Sequence, residues 1–371
     1  MKYTVASLFA GIGGICKGFM LASQKDGSYD VKWANEIDEY ACETYRNNYN
    51  HTLLEGDINC ILDPNKSDKK EYYEKLKNEI IKLGPIDVLN GGFPCQAFSI
   101  AGEQKGFEDE RGNLFLAILG VVKLLDEHYK KPRILFLENV KNLQAHDSGR
   151  TYKIIKSEIE KLGYIVKEKV LNTMHYSKLP QNRERIYIIC FRDKEDAKKF
   201  TMFDDDNILN WKYNFTKEDR IEQIKEVINY GKVPEKYYYT KEKYPHYFNE
   251  DGINLTKEIT EMYQFYQCRR GMYVRKNMSD VCPTLTANMG TGGHNVPLIL
   301  VEDGIRKLTP AETLRLQGFQ AERGFVMPKE FKGRVYPDSS LYKQAGNAVS
   351  IPVIELLANE VLKVLIENDS K

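Results

Sequence analysis

Strand and helix patterns alternate along the first half of the chain, and this alternation limits the fold more than any other feature. Strands are predicted at residues 4–10, 31–35, 86–90, 134–137 and 186–191, with helices at 14–22, 38–49, 114–125 and 152–162. Strand–helix–strand units at this spacing favour an α/β fold with a mostly parallel, doubly wound sheet. In such a fold, ligands bind at the carboxyl ends of the strands.

The pattern changes after Arg192, and the change predicts a second domain. Residues 193–266 are polar, rich in Lys, Glu, Asp and Tyr, and weakly periodic. Regular structure returns at residues 309–312, where Thr, Pro and Glu form a capping box with proline at the first helical position. A final apolar helix is predicted near residues 352–366. A chain of 371 residues is also long enough for two domains.

Cysteine usage and hydropathy exclude several classes of protein. The seven cysteines are odd in number and include no Cys-x-x-Cys pair, which argues against a disulfide framework and a zinc ribbon. No apolar run reaches the ~18 residues that span a bilayer, and the first residues read as a strand rather than a signal peptide. We therefore predict a soluble protein of a reducing compartment, with neither a membrane segment nor a metal site.

The net charge is +1, which gives no global support for nucleic-acid binding, because nucleic-acid-binding domains are often far more basic. One local run differs. Residues 267–276 contain Arg269, Arg270, Arg275 and Lys276 and no acid. A local contact with nucleic acid therefore stays open.

A glycine-rich turn follows the first predicted strand. Phe9, Gly11, Gly13 and Gly14 lie between this strand and the first helix. Glycine there lets a ligand approach the backbone, and the helix N-terminus favours anionic groups. A tight strand-to-helix turn without a ligand explains the same glycines.

Two acids at successive strand ends favour a ligand. Glu36 follows the second strand about 25 residues after the glycines, where an acid commonly holds ribose hydroxyls. Asp57 follows a further candidate strand and could accept from an adenine amino group. Each acid alone is more typical of solvated surface, but together they predict an adenosine-containing cofactor. The glycines lack the G-x-G-x-x-G spacing, which disfavours a nicotinamide cofactor.

Further reactive groups follow the later strands. Cys95 comes after the strand at 86–90, and Pro94 stiffens its approach, although most cysteines are buried small hydrophobes. Glu138 ends the strand at 134–137, where a helix-capping or solvated acid is the alternative. Arg183 and Arg185 precede the strand at 186–191 and share a face in extended chain; a surface ion-pair cluster is the alternative. The segment 97–113, with Ser99 and several glycines, is typical of a mobile lid.

Taken together, these residues resemble the cytosine-C5 DNA methyltransferases of bacterial restriction–modification systems. The resemblance covers the chain except its variable middle, and the motifs occur in family order. They are Phe9–Gly14, Pro94-Cys95-Gln96, Glu138-Asn139-Val140, Gln181–Arg185, Leu308–Phe319 and Gln344–Val349. Six motifs in order and at family-like spacing make a chance match very improbable.

The resemblance implies a fold, a cofactor and the residues that bind it. The fold would be a class I S-adenosylmethionine-dependent methyltransferase domain at 1–195 and 340–371, with a smaller target-recognition domain at 196–339. S-adenosylmethionine would be converted to S-adenosylhomocysteine. The residues implied to bind it are Phe9, Gly11, Gly13, Gly14, Glu36, Ile37, Asp57, Ile58, Pro94, Asn347 and Val349.

The resemblance also implies catalytic and DNA-binding residues. Cys95 would be the nucleophile, Glu138 and Arg185 would contact the base, and Arg183 would brace the site. The residues implied to contact double-stranded DNA are Ser99, Arg269, Arg270, Arg275, Lys276 and Thr284. A monomer in the bacterial cytoplasm, associated with the nucleoid, is expected, with any cognate restriction endonuclease acting separately.

Three alternatives stay open at this point. The same chemistry on RNA is disfavoured, because the tRNA-methylating relatives carry Cys-Phe-Thr in the middle region, whereas this chain has Cys190-Phe191-Arg192. A non-catalytic regulatory paralogue usually lacks the cysteine or the glutamate, and both are present here. A small-molecule methyltransferase would leave the arginine pair, the lid and the large middle region unexplained. The stretch 200–266 has no interpretable motif.

Overall fold

The computed structural model describes residues 1–62, 70–93, 113–228, 232–269, 272–290, 296–320 and 324–370. These residues form two compact units. Unit 1 contains Met1–Leu171, Glu184–Trp211 and Val353–Lys371, and unit 2 contains Asn172–Arg183 and Lys212–Pro352. The units differ from the predicted domains at residues 172–183, 196–211 and 340–352. The assignment of one domain to catalysis and the other to target recognition stays a prediction.

The strands in the described ranges are β1 (Lys2–Leu8), β2 (Ser23–Gln24), β3 (Gly27–Glu36), β4 (Thr52–Glu55), β5 (Val88–Gly92), β6 (Ile134–Val140), β7 (Ile165–Asn172), β8 (Glu184–Phe191), β9 (Phe265–Arg269), β10 (Tyr273–Lys276), β11 (Leu298–Val301), β12 (Gly304–Lys307), β13 (Glu330–Phe331) and β14 (Arg334–Val335).

The α-helices in the same ranges are α1 (Gly14–Leu21), α2 (Glu39–Arg46), α3 (Lys70–Lys82), α4 (Asn113–His128), α5 (Arg150–Lys161), α6 (Thr173–Tyr176), α7 (Lys194–Lys199), α8 (Asp205–Leu209), α9 (Lys217–Ile228), α10 (Leu255–Glu258), α11 (Pro310–Arg315), α12 (Asp338–Asn347) and α13 (Ile351–Asp369). No helix in the described part of the chain is long and apolar enough to cross a membrane.

A mostly parallel sheet organises unit 1, as predicted. Its strand order is β2-β3-β1-β5-β6-β8-β7, and β4 pairs with β3. Strands β1, β3, β4, β5 and β6 pair in parallel, whereas β8 runs antiparallel to β6. From β1 the chain moves to β3 on one side and later to β5 on the other, so a topological switch point lies between β1 and β5. Ligands of open α/β sheets bind at such a point, beyond the carboxyl ends of the strands.

The core of unit 1 follows from continuous apolar runs. Residues 134–137 of β6 are completely buried, as expected for a strand covered on both faces. The predicted C-terminal helix is confirmed as α13. It packs closely on unit 1, because a Cβ added at Gly18 would lie 2.5 Å from Ile354, and one added at Gly27 would lie 2.6 Å from Ile366.

The sequence analysis missed strand β7. This strand lies at the edge of the sheet, and its middle, residues 167–169, carries Lys, Glu and Lys. Charged residues are common on edge strands, where they discourage pairing with other chains. They also remove the apolar pattern by which a strand is recognised from sequence.

Unit 2 contains the sheet β10-β9-β11-β12 and the hairpin β13–β14. The predicted capping box is confirmed: the Thr309 hydroxyl accepts from Glu312 N–H at 3.3 Å, and Glu312 Oε2 accepts from Thr309 N–H at 2.7 Å. The same carboxylate forms a two-bond ion pair with Arg306, at 2.7 and 2.9 Å, and both side chains are almost fully buried. This pair fixes α11 to β12.

Candidate active site

The glycine turn after β1 holds a left-handed backbone at several positions. The φ angles are 54° at Phe9, 56° at Gly11 and 80° at Gly13. A Cβ added at Gly13 would lie 2.3 Å from the Tyr49 ring, whereas one added at Gly11 meets no atom of the described residues within 4 Å. The turn is therefore packed beside Gly13 and open beside Gly11.

The Glu36 carboxylate, at the end of β3, fixes this turn. Its Oε2 accepts from Gly11 N–H at 2.7 Å, and its Oε1 accepts from the N–H groups of Ile37 and Asp38 at 2.9 and 2.8 Å. A carboxylate can accept about four hydrogen bonds, so Oε2 retains an acceptor position for a ligand hydroxyl. Ile37 is 62% exposed and presents an apolar side chain at the same strand end.

The end of β4 lies beside the end of β3. Asn35 Nδ2 donates to the Gly56 carbonyl at 2.9 Å, and Gly56 N–H donates to the Glu36 carbonyl at 2.8 Å. Asp57 comes next and is partly exposed, whereas Ile58 is buried. The two predicted cofactor acids, Glu36 and Asp57, therefore lie at adjacent strand ends. The Ile58 side chain belongs to the core.

A buried aromatic cluster that the sequence analysis missed supports the glycine turn. The Tyr49 hydroxyl donates to the Gly13 carbonyl at 3.0 Å, and the Tyr49 ring packs 4.5 Å from the ring of Tyr45. The Tyr45 hydroxyl in turn contacts Cys16 Sγ at 3.1 Å and His51 Nε2. Burial raises the pKa of Tyr49 and lowers that of His51, and so favours the neutral form of both side chains. Tyr45 and Tyr49 are four residues apart, and this helical spacing is the sequence feature from which their contact could have been predicted.

Glu138 and Arg185 meet at the same edge of the sheet. Gly92 of β5 pairs with Glu138 of β6, and antiparallel β8 places its second residue, Arg185, opposite Val140. Arg185 Nε lies 2.9 Å from Glu138 Oε1, and both side chains are about nine-tenths buried. The Arg185 N–H does not point at this oxygen, so Oε1 is a buried acceptor without a hydrogen-bond donor. Such an oxygen costs free energy unless a ligand supplies a donor.

The segment that leads to Cys95 is held at this edge. Asn139, nearly fully buried, donates from Nδ2 to the Phe93 carbonyl at 2.7 Å. The described ranges end at Phe93 and resume at residue 113, so the predicted site residues Pro94, Cys95 and Ser99 lie outside them. Asn139 belongs to a motif quoted above, but its role as a positioning residue was not predicted.

The other cysteines are poor candidates for a nucleophile. All six cysteines in the described ranges are buried: Cys16, Cys42, Cys60, Cys190, Cys268 and Cys282. Burial raises the pKa of the Cys42 thiol to about 12 and raises the pKa of Cys16, Cys190 and Cys282 as well. Since the thiolate is the reactive form, a cysteine nucleophile at neutral pH must be sought elsewhere, and Cys95 is the one remaining cysteine among the seven of the chain.

Arg183 acts within unit 2. Its side chain is almost fully buried, and its guanidinium donates to the carbonyls of Leu285, Gly346 and Ala348 at 3.0, 3.1 and 2.6 Å. It thus fixes both sides of Asn347, a predicted cofactor residue that is itself exposed. Val349, also predicted, is buried. The guanidinium therefore holds backbone carbonyls on both sides of Asn347, and the bracing role in catalysis stays a prediction.

Two predicted DNA-contact residues have neighbours in unit 2. The Thr284 hydroxyl donates to the Asn182 carbonyl at 2.6 Å, so its proton is already used within the protein. Lys276 Nζ pairs with Glu261 Oε1 at 2.5 Å, whereas Arg275 is exposed on β10. Nothing can be said of the Arg269 side chain, and Arg270 lies outside the described residues.

Exposed apolar side chains flank Arg275 along the chain, and the sequence analysis did not single them out. Met272 is 74% exposed, Tyr273 56% and Met278 80%. Large apolar groups that are exposed together often mark an interaction surface. No periodicity separates them from core residues, so their exposure could not be predicted from the sequence.

The described residues contain no group of three or more His, Cys, Asp or Glu side chains that could hold a metal ion. What they contain at the switch point is an open glycine turn, an acid with spare acceptor capacity and a buried carboxylate–guanidinium pair. This arrangement and the order of the strands define a class I methyltransferase fold. The S. pombe Dnmt2 methyltransferase has the same fold, with a TM-score of 0.63, 17% identity and coverage of 98% of this chain and 99% of that one.

The sequence comparisons define the family. The profile described as C-5 cytosine-specific DNA methylase matches residues 3–363. The Type II methyltransferase M.Bsp6I of Bacillus sp. (strain RFL6) is 41% identical over 98% of this chain and 99% of its own length. The Type II methyltransferase M.HaeII of Haemophilus aegyptius is 34% identical over 98% and 94%. The chain belongs to the C-5 cytosine-specific DNA methylase family and is a DNA cytosine-5 methyltransferase.

Proposed function

We propose that this enzyme transfers the methyl group of S-adenosylmethionine to carbon 5 of a flipped-out cytosine through a covalent adduct with Cys95. The main support for the proposal is that the Glu138–Arg185 pair lies beside residues 91–93, which Asn139 holds in place. This segment ends two residues before Cys95. The same edge of the sheet carries the open glycine turn. A methyl donor and a cytosine could therefore occupy neighbouring positions there.

The residues of the switch point fit S-adenosylmethionine. Gly11 leaves open space for the methionine end, the free acceptor position of Glu36 suits a ribose hydroxyl, and exposed Ile37 suits the adenine face. Asp57, at the adjacent strand end, accepts from the adenine amino group. Phe9, Pro94, Asn347 and Val349 complete the proposed site. The cofactor supplies an electrophilic methyl group on a sulfonium.

The chemistry starts with Cys95, because carbon 5 of an aromatic cytosine is a weak nucleophile. The Cys95 thiolate adds to carbon 6 and breaks the aromaticity of the ring, so carbon 5 attacks the methyl group as an enamine carbon does. The products of this step are S-adenosylhomocysteine and a methylated adduct. Loss of the carbon-5 proton to water and expulsion of the Cys95 thiolate restore the ring.

Glu138 and Arg185 recognise the base and oppose the charge that develops during addition. The Glu138 carboxyl contacts N3 and the amino group, which supplies the missing donor to its buried oxygen. Arg185 contacts the base carbonyl. Polar groups that are fixed before the reaction stabilise transition-state charge more effectively than water does. Arg183 braces the site by positioning the backbone around Asn347.

The target atom is inaccessible in stacked DNA, so the base is flipped out at a cost of a few kcal/mol. The lid with Ser99 closes over it.

Unit 2 reads the sequence, with Arg269, Arg270, Arg275, Lys276 and Thr284 as contacts. Met272 and Met278 add apolar surface that can pack against the grooves.

The biological setting is proposed from the relatives. Both relatives named above are Type II methyltransferases, so we assign this enzyme to a restriction–modification system with a separate cognate endonuclease. A monomer in the bacterial cytoplasm, associated with the nucleoid, fits an enzyme that methylates one strand at a time.

Methyl transfer tests the proposal directly. Radiolabelled S-adenosylmethionine is incubated with the protein and either unmethylated genomic DNA or total tRNA. Label on DNA at carbon 5, within one short motif, is expected and gives the recognition sequence. Label on tRNA alone would overturn the substrate, and label on neither would overturn the catalytic role of Cys95.

Replacement of Gly11 by alanine tests the cofactor site. The left-handed backbone makes the substitution cost about 1 kcal/mol of stability, but the new methyl group enters the space assigned to the cofactor. The affinity for S-adenosylmethionine, measured by titration calorimetry, is expected to fall at least about tenfold, or 1.4 kcal/mol. Gly84→Ala is the matched control, because Gly84 also has a positive φ and open space but precedes β5 at the opposite end of the strands. An equal loss of affinity in both variants would contradict the assignment.

Replacement of Glu138 by glutamine tests the base contact. The amide keeps the shape but leaves Arg185 without its carboxylate and weakens the contact to N3. We expect kcat to fall about 10²–10³-fold, with unchanged affinity for the cofactor. Glu184→Gln is the control, since the Glu184 side chain is 43% exposed and pairs with Lys141 at 2.9 Å. Retention of wild-type kcat in Glu138→Gln would remove Glu138 from the mechanism.

A further inference from the structure

A basic cavity lies in unit 2, within the stretch that had no interpretable motif. It measures about 230 Å³ and is lined by Lys212, Phe215, Lys217, Arg220 and Asp280, among others. Three cations and one carboxylate leave an excess of positive charge at its wall. The residues of the established family motifs take no part in it.

Arg220 is the central feature of this cavity. The residue is 5% exposed, and its guanidinium lies 4.5 Å from the centre of the Phe215 ring. It donates to the Met174 carbonyl at 2.5 Å and to Gln223 Oε1 at 2.9 Å. These are neutral acceptors, and no carboxylate of the described residues lies within ion-pair distance of the guanidinium.

Burial lowers the pKa of Arg220, and the Asp219 carboxylate, which acts in the opposite direction, forms no ion pair with the guanidinium. Buried charges are normally paired. Lys212 is likewise without an ion-pair partner in the described ranges, and Lys217 has Glu261 at 3.7 Å. The cavity wall therefore carries more cations than the carboxylate of Asp280 can neutralise, and an anion that entered the cavity would supply the missing pairing. A guanidinium held by stacking and by two hydrogen bonds is well suited to a phosphate oxygen.

The cavity is continuous with the strand proposed to contact DNA. Glu261 lies between the two, since its carboxylate pairs with Lys276 of β10 at 2.5 Å and with Lys217 of the cavity wall at 3.7 Å. Asp280 follows β10 by four residues. A surface that contacts DNA lies next to many backbone phosphates. Because the cavity adjoins such a surface, a backbone phosphate is the anion that we expect to bind in it.

We propose that the cavity formed by Lys212, Lys217 and Arg220 binds a phosphodiester group of the DNA duplex outside the recognition sequence. This inference rests on the proposed function of unit 2 and deepens it. The contact supplies affinity without reading bases, because phosphate contacts position a protein on DNA and carry no direct sequence information. It gives the stretch 200–266 a role as an anchor for flanking DNA.

The test compares the double variant Lys212→Ala/Lys217→Ala with the wild-type protein. Both lysines are exposed, so we expect the double variant to fold as the wild-type protein does. Equilibrium binding to a cognate and an unrelated duplex is measured over a series of salt concentrations. We expect both duplexes to bind more weakly by the same factor, and the slope of log K against log salt to fall in magnitude by about 1, the value for one lost phosphate contact. Lys257→Ala, which removes an exposed lysine paired with Glu250, should keep the wild-type slope.

Other outcomes separate the alternatives. An unchanged slope in the double variant would overturn the inference, and a loss confined to the cognate duplex would replace it by base reading. Binding of inorganic phosphate that is lost in the double variant, together with an unchanged DNA slope, would assign the cavity to a free anion and overturn the DNA contact. Methyl transfer by the wild-type protein tests the proposed function separately.

Discussion

Replacement of Cys95 by serine is expected to abolish methyl transfer, with a loss on the order of 10³-fold or more in kcat. A hydroxyl has a far higher pKa than a thiol, so serine supplies almost no anionic nucleophile at neutral pH, and the addition to carbon 6 fails. Binding of S-adenosylmethionine should be retained. The measurement is the rate of label transfer at saturating cofactor and DNA.

A trapping experiment makes this prediction specific. In DNA that carries 5-fluorocytosine at the target position, the carbon-5 substituent cannot leave as a proton, so the adduct with the thiolate should persist. The wild-type protein is expected to give a complex that survives denaturation, and Cys95→Ser should give none. Cys268→Ala, which changes a buried cysteine of β9, should still be trapped. A denaturation-resistant complex with Cys95→Ser would show that another group attacks the base.

The second large effect concerns stability rather than catalysis. Glu312→Ala removes the partner of Arg306, whose side chain is only 2% exposed, and also removes half of the capping box of α11. An uncompensated buried charge after loss of one partner costs about 3–5 kcal/mol. We therefore expect the free energy of unfolding, measured in urea, to fall by about that amount.

The double variant Arg306→Met/Glu312→Leu distinguishes the causes. If the cost of Glu312→Ala comes from the orphaned guanidinium, then removal of both charges should recover much of the lost stability, since apolar replacements of buried pairs are often neutral. A double variant as unstable as Glu312→Ala would instead place the cost in the lost cap, which is typically worth about 1 kcal/mol. Lys225→Ala, which removes an exposed pair with Glu222, should change stability by less than about 1 kcal/mol.

The alternation of patterns was sufficient to predict the sheet, because strands buried on both faces have continuous apolar runs such as residues 134–137. It also placed Glu36 and Glu138 correctly at strand ends. The edge strand β7 was missed, because the charged residues in its middle interrupt the apolar pattern of a core strand. Antiparallel β8 could not be inferred either, because direction depends on pairing and not on the residues of the strand itself.

The contacts of individual side chains could not be predicted from the sequence for a related reason. Arg183 and Arg185 are two residues apart, and the sequence predicts a shared face, yet Arg185 pairs with Glu138 of unit 1 whereas Arg183 holds backbone carbonyls of unit 2. Arg306 and Glu312 are six residues apart across a turn, and no periodicity links them. Long-range proximity of this kind is a property of the folded chain.

The burial of six cysteines has a practical chemical meaning. A polar alkylating reagent reacts with a cysteine only if it can reach the sulfur and the thiol is ionised. Burial shields six thiols in the folded protein, those of Cys16, Cys42, Cys60, Cys190, Cys268 and Cys282. At most one equivalent of reagent should therefore be incorporated per native chain, against seven after denaturation. Incorporation of one equivalent, at Cys95, would provide a stoichiometric label without any engineered cysteine, and its prevention by DNA would report occupancy of the proposed site in real time.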